Sequence, residues 1–222
     1  MNLVTDFLEN SFEIKSKTIN TIVIENQSLF TKFLSELIGA INKKNELFEL
    51  IDDFKKKDIT KSADIIFDLF NLESNNSNLL KKLYGELQLD LNSEEMYYKK
   101  LEMENSILKL MDDLIYRSRF NIRLGEINYQ NLFKSLEVEF DYDEKSILEK
   151  LIEYMSISFE LLNKELFIIV NLDSFLTEGE LIELKNFLCY NEIRVLALQN
   201  KIIRNVKSYE NLRIIDLDLC EI

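Results

Sequence analysis

The chain has 222 residues, 46% hydrophobic and 11% aromatic, enough to bury a core in one large domain or two small ones and too apolar for a disordered acidic tail. Its formal net charge of −13 argues against nonspecific binding of nucleic acid or anionic membrane by the molecule as a whole, but a local basic surface stays open because charges beyond about 8 Å are screened. The chain has no histidine and only four glycines, which excludes imidazole catalysis, His-ligated metal and the glycine-rich phosphate loops.

In chain order, "LVTDFLENSFEI" shows patchy strand alternation, and "INTIVIEN" at 19–26 reads as a β-branched strand bounded by Asn. In "SLFTKFLSELIGAINKK", Phe30, Phe33, Leu34, Leu37, Ile38 and Ile41 recur at helical spacing. "ELFELIDD" predicts a short strand, so the opening residues read β-β-α-β. "DFKKKDITK", with Lys55 to Lys57, reads as a solvated turn.

From 58 to 163 the texture is helical. "DITKSADIIFDLFNL" and "NSNLLKKLYGELQLDL" are expected helices, with "SNNSN" at 74–78 as a loop. "SEEMYYKKLEMENSILKLMDDLIYRSRF" is a longer one, with Leu101, Ile107, Leu108, Met111, Leu114 and Ile115 on or near one face. "INYQNLFKSLEV" and "DEKSILEKLIEYMSISFELLNK" complete the set.

The end returns to α/β texture. "ELFIIVNL" reads as a buried strand, and "TEGELIELKNFLCY" as a helix opened by a Thr177/Glu180 capping box. "IRVLALQN" and "LRIIDLDL" read as further strands. Strand–helix–strand with short connections predicts a right-handed parallel unit. The expected organisation is an α/β head from 1–57 and 164–222, with a helical domain over 58–163 inserted.

Three groups of side chains invite a chemical reading. Asp173 ends an apolar strand, where nucleotide hydrolases place a metal-binding acid. Its would-be partner turn, Glu25-Asn26-Gln27-Ser28, has no glycine and carries an acid that repels phosphate, and Thr31-Lys32 is reversed and displaced. Asp173 is therefore expected to shape its turn. "EVEFDYDE" holds Glu137, Glu139, Asp141, Asp143 and Glu144 without the EF-hand glycine; it reads as an acidic turn ahead of a helix, with a metal site or a metal-dependent nuclease as the alternative. Between 114 and 134, Arg117, Arg119, Arg123 and Lys134 face Glu126 alone, while 136–160 sets eight acids against Lys145 and Lys150. Backbone phosphate is one natural partner for such cations, and a salt-bridge seam between the two segments is the other.

Cys189 and Cys220 form no CxxC, so neither a disulfide framework nor a zinc site is expected. "MNLVTDFLEN" lacks the basic and apolar regions of a signal peptide, and no apolar run approaches the roughly 20 residues that span a bilayer. A cytoplasmic location is expected.

Three stretches, "TIVIENQSLFTKFLSEL", "INYQNLFKSLEVEF" and "KELFIIVNLDSFLTEGELIELKNFLCYNEIRVLALQN", together resemble the small accessory spacer-acquisition protein of type II-A CRISPR systems. The resemblance implies a P-loop-ATPase-like α/β head that has lost its phosphate loop, with an inserted α-helical leg domain. It implies a homotetrameric ring without catalytic activity that holds double-stranded DNA ends regardless of sequence. The implied partners are the CRISPR integrase pair and the RNA-guided effector nuclease. It places Lys134, in the Lys-Ser-Leu segment, and then Lys150 on DNA. It also implies calcium, but the family's acidic stretch is here "YRSRFNIRLGEINY", where Arg117, Arg119 and Arg123 leave only Glu126 acidic. Guanidinium groups paired with acids are expected in place of the bound cations. The alternative from another class is a degenerate ATPase-like scaffold for protein partners that binds no DNA.

Overall fold

The computed structural model describes residues 1–72, 74–141 and 145–222. The chain forms two compact units, Met1–Glu73 with Tyr142–Ile222, and Ser74–Asp141. The first part of the larger unit runs β1 (Asn2–Thr5), β2 (Phe12–Glu13), β3 (Ile19–Ile24), α1 (Gln27–Ile41), β4 (Phe48–Asp52), β5 (Lys55–Lys57), α2 (Ile59–Ser62) and β6 (Ala63–Ile66). The smaller unit holds α3 (Ser77–Leu91), α4 (Tyr97–Arg117) and α5 (Tyr129–Ser135). The larger unit then resumes with α6 (Ile147–Leu162), β7 (Leu166–Val170), α7 (Glu178–Tyr190), β8 (Arg194–Gln199) and β9 (Asn211–Ile215).

Five strands in the order β6-β7-β8-β3-β9 make a parallel sheet. Its central strands are almost wholly buried, β7 as an unbroken apolar run, because both faces are covered. Alternate side chains separate the two cores. Ile22, Ile24, Ile168, Leu196 and Leu198 meet Phe33, Leu37 and Ala40 of α1 together with Leu3, Phe12, Phe48 and Leu50. Those last four come from a small antiparallel sheet, β2-β1-β4-β5. On the opposite face, Phe167, Ile169, Val195 and Ala197 meet Leu148, Leu151 and Met155 of α6 and Leu181, Leu184 and Leu188 of α7. Each such large apolar side chain contributes roughly 1.5–3 kcal/mol on burial. The capping box at Thr177/Glu180 forms as its sequence predicts, and Ser146/Glu149 makes a second one on α6.

The expected helix "DITKSADIIFDLFNL" is not one. Asp58 caps a single turn, α2, and Ala63 then turns extended so that Ala63–Ile66 pairs in register with Leu166–Ile169. Pairing with the buried strand β7 satisfies backbone groups that a helix would have carried internally. Lys164 fastens the junction by donating to the Thr60 and Ala63 carbonyls at 2.9 and 2.6 Å. Burial holds this amine below its ordinary pKa, with Asp64 and Asp58 opposing that shift.

The unit boundaries consequently differ from those at 57/58 and 163/164. β6 and α6 belong to the α/β unit because one extends its sheet and the other covers a face of it. Nor is Lys55–Lys57 a turn: it is the edge strand β5. There Lys56 pairs with Glu49, and Lys57 with Asp52 and Glu165. Lysine on an edge discourages pairing with another chain.

In the helical unit, Tyr84 of α3 donates to the Val138 carbonyl at 3.0 Å and its ring lies 6.0 Å from that of Phe133. The Tyr129 hydroxyl donates to Glu104 of α4, with the Lys100 amine 5.1 Å from the ring centre. Burial first, and the bonded carboxylate second, push the phenol up to about 12. The unfolded phenol ionises earlier, so the stability this group lends is complete below about pH 10 and lost as the pH rises towards 12. Tyr129→Phe should therefore delete the latest phenolate step from an ultraviolet titration of the folded protein. A variant that instead loses a step near pH 10 would show that Tyr129 is not held neutral. Helix α4 itself buries no side chain. No helix among the described residues is long and apolar enough to cross a membrane.

Candidate nucleic-acid interface

Two places carry the functional question: the carboxyl edge of the parallel sheet, and the cationic segment of the helical unit. At the sheet edge, β3 passes into α1 through Glu25 and Asn26 alone. The Asn26 side chain accepts from the Leu29 amide at 3.0 Å and donates to the Leu217 carbonyl at 3.2 Å, while the Glu25 amide donates to the Ile215 carbonyl. A two-residue turn bound to the chain on both sides has no loop with which to surround a phosphate.

Asp173 lies in the single turn of 3-10 helix, Leu172–Ser174, that follows β7, and its side chain has no solvent exposure. An Arg204 guanidinium nitrogen stands 3.0 Å from one carboxylate oxygen, and the Tyr209 hydroxyl donates to the other at 2.6 Å. The guanidinium also lies 4.2 Å from the centre of the Tyr209 ring. With its amide oriented to suit, Gln199 accepts from the Leu172 and Asp173 amides. Burial and the hydrogen bond to Asp173 raise the Tyr209 pKa. Asp173 lies in the turn, but its carboxylate bonds outside it, in a buried ion pair with Arg204 and a hydrogen bond from Tyr209. Sequence reading missed Arg204 and Tyr209 because they lie 31 and 36 residues away, where no periodicity links them to Asp173.

Arg117 ends α4, Arg119 and Arg123 lie in the irregular segment after it, and Lys134 occupies the last turn of α5. All four are exposed and none forms an ion pair among the described residues. The arginine-to-carboxylate seam is thus not formed among those residues. Lys150 lies on α6, in the other unit, and is half-buried.

Among the described residues the carboxylates do not assemble a cation site. Glu126, Glu139 and Asp141 are exposed, Asp143 and Glu144 lie outside the described residues, and no group of three or more Cys, Asp or Glu comes together among the described ones. Where calcium is implied, the described residues present three arginines and one exposed carboxylate, a donor set that does not fit a hard divalent ion.

The model of the family "CRISPR-associated protein (Cas_Csn2)" matches residues 40–219. The chain belongs to this family. It is 27% identical to the CRISPR-associated protein Csn2 of Enterococcus faecalis, over 94% of each chain. With the protein of that name from Streptococcus agalactiae it shares 24%, over 91% of this chain and 90% of the relative. Among solved structures, an ATP-binding cassette of an ABC transporter in its ADP conformation aligns over 92% of this chain and 79% of its own, at 15% identity and a TM-score of 0.41. Membership in the family accords with the resemblance carried by the three quoted stretches, two of which lie wholly within the matched residues.

Proposed function

We propose that this protein is a non-catalytic, sequence-independent binder of double-stranded DNA ends, working as a tetrameric ring in spacer acquisition. The observation that carries this reading is that Arg117, Arg119, Arg123 and Lys134, close in sequence on the helical unit of an acidic chain, are exposed and without ion pairs among the described residues. Four copies placed around one duplex convert a modest basic patch into a multivalent one, and the acids elsewhere limit binding outside it. Helix α4, with no buried side chain and with Leu101, Leu108, Leu110 and Leu114 exposed, supports assembly through the helical leg. The α/β head reads as ATPase-like with its phosphate loop shortened to a capped turn, and Arg204 takes the place beside Asp173 that a metal would need. Both features support a role without nucleotide hydrolysis. In this reading the ring works in the cytoplasm with the integrase pair and the RNA-guided effector nuclease.

The test compares a linear duplex with a small closed circle of the same sequence. Threading requires an end, so the linear form should bind and the circle should not, and binding should weaken steeply with salt. Equal binding of both forms would refute threading. A stable tetramer in native mass spectrometry that ignores DNA would favour the protein scaffold.

A further inference from the structure

On the α/β unit, the turn between β1 and β2, helix α1 and the turn after β9 line a groove of about 590 Å³. Its apolar lining is Phe7, Leu29, Leu47, Ile215 and Leu219, of which Leu47 and Leu219 stay exposed. Its charged lining, among the described residues, is Asp6, Glu9, Glu36 and Glu221 against Lys32, whose amine lies 5.6 Å from the centre of the Phe7 ring. Glu221 pairs with Arg213, and Glu36 accepts from the Asn45 amide. Asp6 and Glu9 are exposed and form no ion pair among the described residues.

The helical unit carries the complementary chemistry. Phe120 and Ile122 are 79% and 46% exposed, and they lie in sequence between the exposed, unpaired Arg117, Arg119 and Arg123, in a stretch after α4 with no helix or strand of its own. The sequence leads one to expect these arginines in a seam with carboxylates, and the described acids of the same chain do not form it. The groove offers acids, and beside them an apolar lining. Guanidinium suits both, since it pairs with carboxylate through fixed donors and packs flat on an aromatic face such as that of Phe7. The cleft beside Phe48 offers neither: Lys43, Lys44, Lys56 and Lys57 outnumber Glu46 and Asp58 there and repel a guanidinium.

We propose that, in the absence of DNA, the 117–123 segment of one copy docks in this groove of a second copy: its arginines pair with Asp6 and Glu9, and Phe120 and Ile122 cover Phe7, Leu47 and Leu219. Arginine and aromatic anchors on an apolar lining with a charged rim are the usual make-up of protein contacts. The same arginines cannot hold carboxylate and phosphate at once. A bound duplex therefore displaces the segment, and free copies keep their cations covered. The inference goes beyond the DNA-end reading, and the docking itself stands on the groove and the segment alone.

Cys220, exposed between the groove residues Leu219 and Glu221, serves as a built-in trap. In the full chain without DNA, Asn121→Cys should form a disulfide with Cys220 of a second copy under mild oxidation, seen as a band of twice the mass on a non-reducing gel. Such a bond forms only where the two Cα atoms come within about 7 Å. Peptide mapping should place the bond between positions 121 and 220; Cys220→Ser should abolish it and Cys189→Ser should not. At a concentration where few copies are docked, replacing the three arginines by glutamine should slow trapping roughly 2- to 30-fold, the range spanned by two exposed ion pairs. Asp6→Asn with Glu9→Gln should slow it similarly, and both sets together little further, because they remove the same pairs. A linear duplex should suppress it. No linked dimer, a dimer that survives Cys220→Ser, or a bond formed only within one chain would overturn the docking. If the chain binds duplex and trapping persists unchanged, displacement by DNA is wrong. If the chain binds no duplex at all, the functional reading falls and trapping still decides the docking.

Discussion

Replacing Arg204 by methionine is expected to destabilise the α/β unit by about 3–5 kcal/mol, the usual cost of removing one partner from a buried ion pair. The cost is large because the other partner stays behind: Asp173 has no exposed side-chain surface, so the variant retains a carboxylate held by the Tyr209 hydroxyl alone. Methionine keeps much of the arginine stem, so lost packing contributes little. Tyr209→Phe removes the hydrogen bond to Asp173 and the long one its hydroxyl accepts from the Arg204 amide, leaves the guanidinium in place, and should cost less, about 1.5–3 kcal/mol. The pair Arg204→Met with Asp173→Asn removes the stranded charge and should recover part of the loss. Urea unfolding of wild type, Arg204→Met, Asp173→Asn and the double variant closes the cycle, with Tyr209→Phe measured beside them. An Arg204→Met midpoint equal to wild type would show that the ion pair is not a stabilising element. Restoration by the double variant would place Asp173 among the residues that hold the loop following β8 against the sheet.

That outcome also bears on what was readable in the sequence. β7, α7 and β8 were legible because their signals are local: an unbroken apolar run, a capping box and a second apolar run. β6 was not. Its four residues follow an Asp58 cap within an apolar pattern that suits a helix, and only the neighbouring strand, a hundred residues on, makes them extended. Placing α6 in the helical insertion failed for the same reason, since its periodicity shows one apolar face but not that the sheet covers it. Lys55–Lys57 looks solvated on charge alone and is nevertheless strand, with Lys57 tied to Asp52 and Glu165. At the candidate interface, the segregation of Arg117, Arg119, Arg123 and Lys134 from acids was visible in the residue order. The partners of Asp173 depend on contacts that no spacing encodes.

The apolar face of α4 shows a further limit. Its pattern predicts a buried stripe, yet Leu101, Leu108 and Leu114 remain exposed in the single chain. Helical periodicity reports that a face is apolar, and leaves open whether the same molecule or another covers it. The ring reading assigns the cover to other copies.

If four copies enclose one duplex and Lys134 faces a phosphate in each, then Lys134→Ala removes four phosphate contacts at once. Each contact contributes about 0.9 to the slope of log affinity against log salt, so the slope should become shallower by about 3.6. The deficit of the variant should be greatest in dilute salt and should shrink by roughly 150-fold between about 50 and 200 mM. Lys134→Arg keeps the charge and should keep the slope. A change near 1 would mean that one copy meets the DNA through this residue, which contradicts the enclosing ring while preserving the contact. An unchanged slope would take Lys134 off the phosphates and leave Arg117, Arg119 and Arg123 as the cations to vary next. The lysine is exposed at the end of a short helix and makes no ion pair among the described residues. Its loss should therefore leave the fold intact, and the salt slope reads DNA contact rather than unfolding.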